Sequence, residues 1–376
     1  MPKINWDQVR SEYKVCDKYA YLMSAAVGPY HREVYKSTAK HMAGLYEIGD
    51  PYYMDSVERM EKTREKVGQI LNCQGSDIAF SPSTSYGMNT LAMMFKQGSK
   101  RQIIVPADEF PSSCLPWAYH GLELVKIPSH NGFIDQQEIL AAITHETAAV
   151  VCSAIQFGTG FRMHINQLGK HLAAKEIPFI VNGTQAFGAF PIDIKKAKIS
   201  ALTASCHKWM GAGYGVSVLC LSPALRNRFA WPLAGWLSVE DPMAMSNDLA
   251  PLKRETAAIE LGVPPFSILA GLDAACDVVM DLGINNIANR IFELTTILTK
   301  QLRGAGVKIL SPRDILSIDE SINSGIVSIE VDRPEEVEQS LRANGIFVSA
   351  RRGSLRISTH YFNNENDFNR LLSMIG

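Results

Sequence analysis

The sequence lacks an excess of charge of either sign, because 37 basic residues nearly balance 38 acidic residues over 376 positions. It has no block of like charges, so nothing in it favours binding to nucleic acid or to an anionic membrane surface. It also lacks a hydrophobic run long enough to span a membrane, and its first residues lack the apolar core of a signal peptide. We therefore expect a cytoplasmic protein that binds neither nucleic acid nor membrane.

Cysteine is sparse, and its spacing is that of single residues. The seven cysteines are Cys16, Cys73, Cys114, Cys152, Cys206, Cys220 and Cys276. They show neither the paired spacing of a zinc site nor the density of a disulfide-rich domain. We predict no metal site, and reduced thiols that are mostly buried.

Hydrophobic residues make up 46% of the chain, which is enough for a substantial core. A chain of this length predicts a large domain and a smaller one. Between residues 77 and 182, short apolar strands alternate with helices, a pattern typical of a parallel sheet covered on both faces. Ligands of such sheets bind at the carboxyl ends of the strands. Further strands are predicted at 325–331, 346–349 and 355–358.

Lys208 is the clearest chemical signal in the sequence. It follows an apolar run at 201–204 and precedes three closely spaced glycines, Gly211, Gly213 and Gly215. A lysine at a strand end can lose part of its hydration, so that its pKa falls and its amine can form a Schiff base with an aldehyde. The plain alternative is a surface lysine in a glycine-rich turn.

The segment Ser205-Cys206-His207-Lys208 resembles the lysine loop of the class V aminotransferase superfamily of pyridoxal phosphate (PLP) enzymes. This superfamily includes cysteine desulfurases and isopenicillin N epimerase-like proteins, and the resemblance covers nearly the whole chain. It implies that Lys208 binds the cofactor aldehyde and that Ser205 and His207 contact the cofactor phosphate.

The same resemblance implies an α/β fold, the fold type I PLP-dependent transferase. In that fold a large domain carries a mostly parallel sheet, and a smaller carboxyl-terminal domain is α+β. We place the large PLP-binding domain at residues 18–265 and the small domain at residues 1–17 and 266–376.

Small polar residues lie between a predicted strand at 77–80 and a predicted helix at 87–95. The amino terminus of such a helix is an anion site, although clusters of serine and threonine more often only cap helices. The stretch resembles the phosphate loop of the family, which implies that Thr84 and Ser85 contact the phosphate.

Three further residues match positions around the cofactor ring. The resemblance implies that Phe110 covers one face of the pyridine and that Gln185 meets the ring oxygen. Asn182 stands where the family has the aspartate that pairs with the pyridine nitrogen. An asparagine cannot balance a pyridinium charge, but its NH₂ group can donate to an unprotonated nitrogen.

The substrate side of the site is implied in the same way. Arg356 matches the arginine that binds the substrate carboxylate, a role that suits guanidinium geometry. Ala25 and Ala26 lie in a turn that the family places beside that carboxylate. Gln156 precedes a glycine-rich turn and could reach the cofactor or the substrate, although a purely structural turn fits equally well.

The segment Gly262-Val263-Pro264 resembles a Gly-Thr-Pro segment whose threonine reaches the phosphate of the other subunit in a dimer. We therefore expect a homodimer. Val263 replaces the threonine, so the hydrogen bond between subunits is not expected to persist.

The leading interpretation is a PLP enzyme acting on an amino acid by transamination or by β-elimination, with epimerisation also open. Asn182 should weaken the ring as an electron sink, which favours elimination or a related lyase reaction over transamination. A cysteine desulfurase of this superfamily needs a nucleophilic cysteine in a loop shortly before the arginine that binds the carboxylate. Here the last cysteine, Cys276, lies about 80 residues before Arg356, so persulfide-forming desulfurase chemistry is disfavoured. The alternative is a protein that keeps the fold but has lost catalysis and serves as a binding or accessory protein.

Overall fold

The computed structural model describes residues 4–313 and 321–375. Its strands are β1 Ala20–Tyr21, β2 Ile78–Ser81, β3 Gln102–Pro106, β4 Glu123–Ile127, β5 Thr147–Ser153, β6 Phe179–Asn182, β7 Ala201–Ser205, β8 Ser217–Leu221, β9 Ile326–Ile329, β10 Ile346–Phe347, β11 Ser349–Arg351 and β12 Ser354–Ser358. Its helices are α1 Trp6–Ser11, α2 Arg32–Ile48, α3 Tyr53–Leu71, α4 Thr84–Phe95, α5 Leu115–Tyr119, α6 Gln136–Ala141, α7 Ile165–Ala174, α8 Pro223–Arg226, α9 Phe266–Leu282, α10 Ile284–Gly304, α11 Pro334–Ala343 and α12 Glu365–Ile375.

A seven-stranded sheet with the order β2-β8-β7-β6-β5-β3-β4 forms the centre of the molecule. Strands β3 to β7 pair in parallel, whereas β8 is antiparallel to both of its neighbours. Every residue of β5, β6 and β7 is buried, which agrees with their nearly continuous apolar sequence. Because these three strands are parallel, their carboxyl ends lie at the same edge of the sheet, at Ser153, Asn182 and Ser205.

Helix α4 packs on β7 and β8, close to that edge. The packing depends on Gly87, because a Cβ atom there would lie 2.7 Å from the side-chain oxygen of Thr203. The helix begins at Thr84, three residues before the predicted start, since the Ser83 hydroxyl caps it by accepting a hydrogen bond from the backbone N–H of Tyr86.

A three-stranded antiparallel sheet, β11-β12-β9, lies in the carboxyl-terminal part of the chain. In it Arg356 of β12 pairs with Ser328 of β9. A further pairing, β1 with β10, joins residues near the amino terminus to this part of the chain. Helix α9 packs on α2 and α3. The division at residues 17 and 265 stays a prediction.

The structure shows several strands shorter than the sequence suggested. The strand predicted over 177–182 begins at Phe179, directly after Pro178, which cannot donate a ladder hydrogen bond. No helix within residues 4–313 and 321–375 is both long and apolar enough to cross a membrane.

Candidate active site

A cavity of about 400 Å³ lies at the carboxyl ends of β5, β6 and β7. It gathers eleven of the residues singled out in the sequence: Ala25, Ala26, Thr84, Ser85, Phe110, Asn182, Gln185, Ser205, His207, Lys208 and Arg356. These side chains come from segments that are far apart in the chain. The fold thus forms a single site from them, and Gln156 is the one predicted residue that does not line it.

Lys208 follows the end of β7 and reaches the cavity from the turn after Ser205. The backbone N–H of Gly28 donates to the carbonyl of His207 at 2.8 Å, and a Cβ atom on Gly28 would lie 1.8 Å from the carbonyl oxygen of Lys208. The amino-terminal turn therefore packs directly against the backbone of the lysine, and only a glycine fits at position 28.

The amine of Lys208 has lost much of its hydration. Its pKa is lowered to about 8, first by burial and then by the positive charges of Arg356 and Arg351. Its Nζ atom lies 5.6 Å from the centroid of the Phe110 ring. At pH 7 roughly one tenth of this amine is unprotonated, far more than for an exposed lysine, and the unprotonated form is the one that reacts with an aldehyde.

Three hydroxyl groups meet at the amino terminus of α4, and we call Thr84, Thr184 and Ser205 the hydroxyl cluster. The Thr84 hydroxyl lies 2.9 Å from the Thr184 hydroxyl and 2.8 Å from the Ser205 hydroxyl. Ser85, the next residue of the helix, bonds to the Ser112 hydroxyl at 2.8 Å. Together with the positive end of the helix dipole, these donors suit a phosphate.

His207 lies beside this region with its ring stacked on Tyr214, at a centroid separation of 5.1 Å. Burial and the neighbouring Lys208 lower the pKa of His207 to about 4. The imidazole is therefore neutral at physiological pH and offers a single N–H as a donor.

Asn182 ends β6 and is buried against the cavity. Its Oδ1 accepts from the backbone N–H of Thr184 at 3.1 Å, and its Nδ2 donates to the Ser113 hydroxyl at 3.0 Å. Gln185 donates from Nε2 to the Ala25 carbonyl and accepts from the Trp209 indole. Both amides are thus fixed by the protein and keep one N–H each for a ligand.

Phe110 precedes a tight turn at Pro111–Ser113 and packs edge-on against Phe157, with the ring centroids 5.1 Å apart. About 41% of its surface stays exposed, although nine of the fifteen phenylalanines are buried. One face of the ring is therefore available to stack on a planar group.

Arg356 reaches the cavity from the middle of β12 and is only 2% exposed. Its Nη1 donates to the Phe157 carbonyl at 2.8 Å, while its Nε has no hydrogen-bond partner in the described part of the chain. Burial and the nearby Arg351 lower the pKa of Arg356 to about 10. An unpartnered buried guanidinium nitrogen calls for an anionic ligand.

The charges that line the cavity all have one sign. They are Lys208, Arg351 and Arg356, and no aspartate or glutamate among the described residues lines it. Nor do the described residues contain three or more His, Cys, Asp or Glu side chains placed to hold a metal ion. The cavity is suited to a ligand with anionic groups.

Gln156 is held elsewhere. Its Nε2 donates to the buried carboxylate of Glu109 at 2.6 Å, and Glu109 also accepts from the backbone and the hydroxyl of Ser153. The structure therefore does not bring Gln156 to a ligand in the cavity, because the carboxylate holds its amide on the protein side.

Thr184 and Arg351 are two of the lining residues that the sequence did not single out. Thr184 lies between Asn182 and Gln185, which are both expected to contact the cofactor ring. Its position in the sequence could therefore have predicted that it lines the cavity. Arg351 pairs with Ser354 across the β11–β12 hairpin, and that register brings it towards the same cavity as Arg356. Nothing in the sequence distinguishes it from its neighbour Arg352, which lies over the Phe157 ring.

These residues fit PLP. The unprotonated amine of Lys208 would bind the aldehyde of PLP, and the hydroxyl cluster at the start of α4 would bind its phosphate. The open face of Phe110 would stack on its aromatic ring. All of these residues line the same cavity.

The chain belongs to the class V aminotransferase family, since the family model described as Aminotransferase class-V matches residues 20–371. This family uses PLP, so the expected cofactor is confirmed together with the family. An uncharacterized aminotransferase of Schizosaccharomyces pombe is 27% identical over 85% of this chain and 81% of its own length. A probable cysteine desulfurase of Pyrococcus abyssi is 25% identical, over 85% of this chain and 83% of its own.

Solved structures confirm the expected fold. The apo structure of a cysteine desulfurase from Thermococcus onnurineus matches with a TM-score of 0.89 at 21% identity, over 99% of this chain and 98% of that one. A mutant of C-DES with glycine covalently linked to the PLP cofactor matches with a TM-score of 0.87 at 16% identity, over 98% and 99% of the two chains. At these identities the likeness concerns the fold.

Proposed function

We propose that this protein is a PLP-dependent enzyme that acts on an amino acid and that Lys208 binds the cofactor aldehyde. The observation that carries the proposal is the position of Lys208. Its amine has a lowered pKa and shares one cavity with a neutral hydroxyl cluster and with a buried arginine whose Nε has no hydrogen-bond partner in the described part of the chain. The hydroxyl cluster would bind the cofactor phosphate, and the arginine would bind the substrate carboxylate.

The amino terminus of α4 would hold the phosphate. Thr84, Ser205 and Ser85 have hydroxyls there, and each can exchange its present partner for a phosphate oxygen. The neutral His207 can add one N–H donor. No charged side chain is needed, because the helix dipole and several donors share the anion.

Three side chains would orient the ring. Phe110 presents its open face, Asn182 can donate an N–H to the pyridine nitrogen, and Gln185 can donate to the ring oxygen. PLP, when bound, withdraws electron density from the Cα atom of the amino acid. The site residues decide which bond at Cα lies in the right direction to break.

Arg356 would bind the substrate carboxylate, and the turn at Ala25 and Ala26 closes that side of the cavity. The amine of Lys208, once it is free of the aldehyde, is placed to take the proton from Cα. A pKa of about 8 suits that task, because a base works best when its pKa is near the working pH.

We further propose elimination, or a related lyase reaction, in preference to transamination. Asn182 brings no negative charge to the ring nitrogen, so the negative charge that develops at Cα is less well stabilised. Departure of a leaving group from Cβ removes that charge quickly. One structural neighbour is a cystine C–S lyase, at 16% identity, so the fold is compatible with such a reaction.

Persulfide-forming desulfurase chemistry is not proposed, although several relatives carry that name. None of the seven cysteines, all of which lie in the described part of the chain, lines the cavity. Cys114 is the cysteine nearest in sequence to Phe110, and burial raises its pKa to about 11. A thiol in that state is a poor nucleophile at neutral pH.

An amino-acid panel tests the reaction type. The holo-protein is incubated with β-substituted and unsubstituted amino acids, with and without a keto-acid acceptor, and keto acid and ammonia are measured. We expect both products from β-substituted substrates without an acceptor, and none with Lys208→Ala. Turnover that requires the acceptor would contradict the preference for elimination. A protein that binds PLP but processes no amino acid would support the accessory role.

We also propose a homodimer in the cytoplasm. Tyr46, Ile48 and Met54 are more than half exposed around the junction of α2 and α3, and Val263 is 65% exposed. Apolar side chains that are exposed in one chain are suited to burial between two. Light scattering at working concentration should give twice the mass of the chain, and a monomer mass would contradict the dimer.

A further inference from the structure

One charged residue of the cavity has no part in the proposed reaction. Arg351 lines the cavity, but the hydroxyl cluster would bind the cofactor phosphate and Arg356 would bind the substrate carboxylate without it. Arg351 is exposed whereas Arg356 is buried, so Arg351 lies nearer to solvent. A cation in that position needs an explanation of its own.

The strand register brings Arg351 to the same face of the small sheet as Arg356. In the β11–β12 pair Arg351 lies opposite Ser354, and residues that are directly opposed share a face. Ser354 and Arg356 are two residues apart on β12, so they also share that face, because side chains alternate along a strand. The two arginines are thus diagonal neighbours, about 7–8 Å apart at the backbone, a spacing that long side chains can cover.

Arg351 has no ionic partner among residues 4–313 and 321–375. Its Nη1 donates to the backbone carbonyl of Ala350 at 2.6 Å, which is the preceding residue. The next residue, Arg352, forms an ion pair with Asp108 at 3.2 Å and lies over the Phe157 ring. Of two consecutive arginines, one is therefore paired with a carboxylate of the protein, and the other keeps its charge unpaired beside the cavity.

An amino acid with an uncharged side chain would leave that charge unbalanced. Its carboxylate would pair with Arg356, and Lys208 must be unprotonated to take the proton from Cα. Burial comes first among the causes that lower the pKa of Lys208 and of Arg356, and the charge of Arg351 contributes to both. No described aspartate or glutamate lines the cavity to offset it. A second negative charge on the substrate would do so.

We propose that Arg351 is a specificity-determining residue and that the substrate is an amino acid whose side chain ends in an anionic group such as a carboxylate. The inference rests on the proposed function and deepens it, because it needs an amino acid bound at Arg356. Arg356 binds the α-carboxylate, and Arg351 binds the side-chain anion on the side nearer to solvent. A guanidinium suits both places, since its planar N–H groups match the two oxygens of a carboxylate.

Two pairs of amino acids isolate this contact. Aspartate and asparagine have nearly the same size and differ in side-chain charge, and so do glutamate and glutamine. None of the four has a good leaving group at Cβ, so elimination does not disturb the measurement. We define the preference as the dissociation constant of the amide divided by that of the acid, measured by spectral titration of the PLP-loaded protein.

The wild-type protein should prefer the acid about five- to twentyfold in at least one pair, because the charged contact is partly open to solvent. Arg351→Gln should bring the preference to about one and leave the affinity for the amides nearly unchanged. Arg351→Lys should keep part of the preference, since the charge remains while the planar geometry is lost. Arg352→Gln is the matched control, because it changes the net charge equally at an arginine already paired with Asp108, and the preference should not change.

Two results would overturn the role of Arg351 and leave the proposed function standing. The first is a preference near one in both wild-type pairs, or a preference that survives Arg351→Gln. The second is an equal loss of affinity for acid and amide in Arg351→Gln, which would mean that Arg351 binds the α-carboxylate together with Arg356. A protein that binds PLP but shows no spectral response to any amino acid would contradict the proposed function, and the inference would fall with it.

Discussion

The two ends of the cavity differ in charge. The hydroxyl cluster at the start of α4 is neutral, and its members already satisfy one another through hydrogen bonds of 2.8 and 2.9 Å. The opposite end gathers three positive charges, Lys208, Arg351 and Arg356, and leaves Nε of Arg356 without a partner in the described part of the chain. One end is complete without a ligand, whereas the other is electrostatically unbalanced without one.

The difference shows why two kinds of residue are used. A hydroxyl can donate or accept, so the cluster costs little when no ligand is bound and can turn to a phosphate when one arrives. Burial, and then the repulsion between clustered cations, lowers the pKa of Lys208 and of Arg356. The charged end should therefore govern reactivity and substrate affinity, and the hydroxyl end should govern cofactor affinity.

Arg356→Ala should have the largest effect, and only at the charged end. The loss of a buried, charge-assisted contact typically costs about 2–5 kcal/mol of binding free energy. We expect amino-acid affinity to fall accordingly while PLP affinity stays close to that of the wild type, both measured by spectral titration. Arg333→Ala, at an exposed arginine before α11, is the control. Equal losses of amino-acid and PLP affinity would show that the two ends of the cavity do not bind the two ligands independently.

Lys208→Met should stabilise the protein without cofactor. The pKa of Lys208 is lowered from 10.5 to about 8, so at neutral pH folding carries the cost of a protonated amine among arginines. A shift of this size corresponds to about 1–3 kcal/mol once partial exposure is allowed for. Because the folded pKa lies below the unfolded one, wild-type stability should rise between about pH 8 and pH 10.5.

Chemical denaturation at several pH values checks this. The advantage of Lys208→Met should be full below about pH 8 and should shrink towards pH 10.5. Lys300→Met, at an exposed position of α10, should show no such dependence. If Lys208→Met is less stable than the wild type at neutral pH, the protonated amine does not destabilise the folded protein.

Thr84→Val should act at the hydroxyl end. Valine keeps the shape but removes the hydroxyl that joins Thr184 to Ser205, so we expect about a tenfold weaker affinity for PLP. Pyridoxal, which has no phosphate, should lose much less. Thr90→Val is a matched control, because Thr90 lies in the same helix and donates only to the Tyr86 carbonyl. Equal losses for PLP and pyridoxal would place the phosphate elsewhere.

Asn182→Asp should have the smallest effect. It tests the residue that is expected to contact the ring nitrogen of the cofactor. A carboxylate at position 182 strengthens the ring as an electron sink, so the rate of the transamination half-reaction should rise. The rise should stay below about tenfold, because position 182 is buried, and burial raises the pKa of a carboxyl group and keeps part of it protonated. Intact mass first checks the wild type for deamidation at Asn182-Gly183. Unchanged rates with PLP bound would contradict the account of reaction type.

The parallel sheet was predictable because strands buried on both faces need nearly continuous apolar sequence, as in β5 and β6. The placement of Lys208 at a strand end followed from that pattern. The roles of Thr84, Phe110 and Arg356 could be suggested only by resemblance to a family, since a lone threonine, phenylalanine or arginine carries no such signal.

The sequence did not indicate the positions of Gln156, Arg351 and Glu109, because each depends on contacts between distant segments. Glu109 is buried and accepts hydrogen bonds from Ser153 at the end of β5 and from Gln156. Gln156 turns away from the cavity because that carboxylate is there to receive it. A charged residue is normally read as exposed, so a buried carboxylate satisfied only by neutral donors leaves no local pattern.

The central claim is that the amine of Lys208 binds the cofactor. The most direct test is borohydride reduction of the PLP-loaded protein, followed by digestion and peptide mapping by mass spectrometry. The account predicts one pyridoxyl group per chain, on Lys208, and none after reduction of Lys208→Ala, which should still fold and hold PLP without a covalent bond. A pyridoxyl group on any other lysine, or tight PLP binding without any, would contradict it.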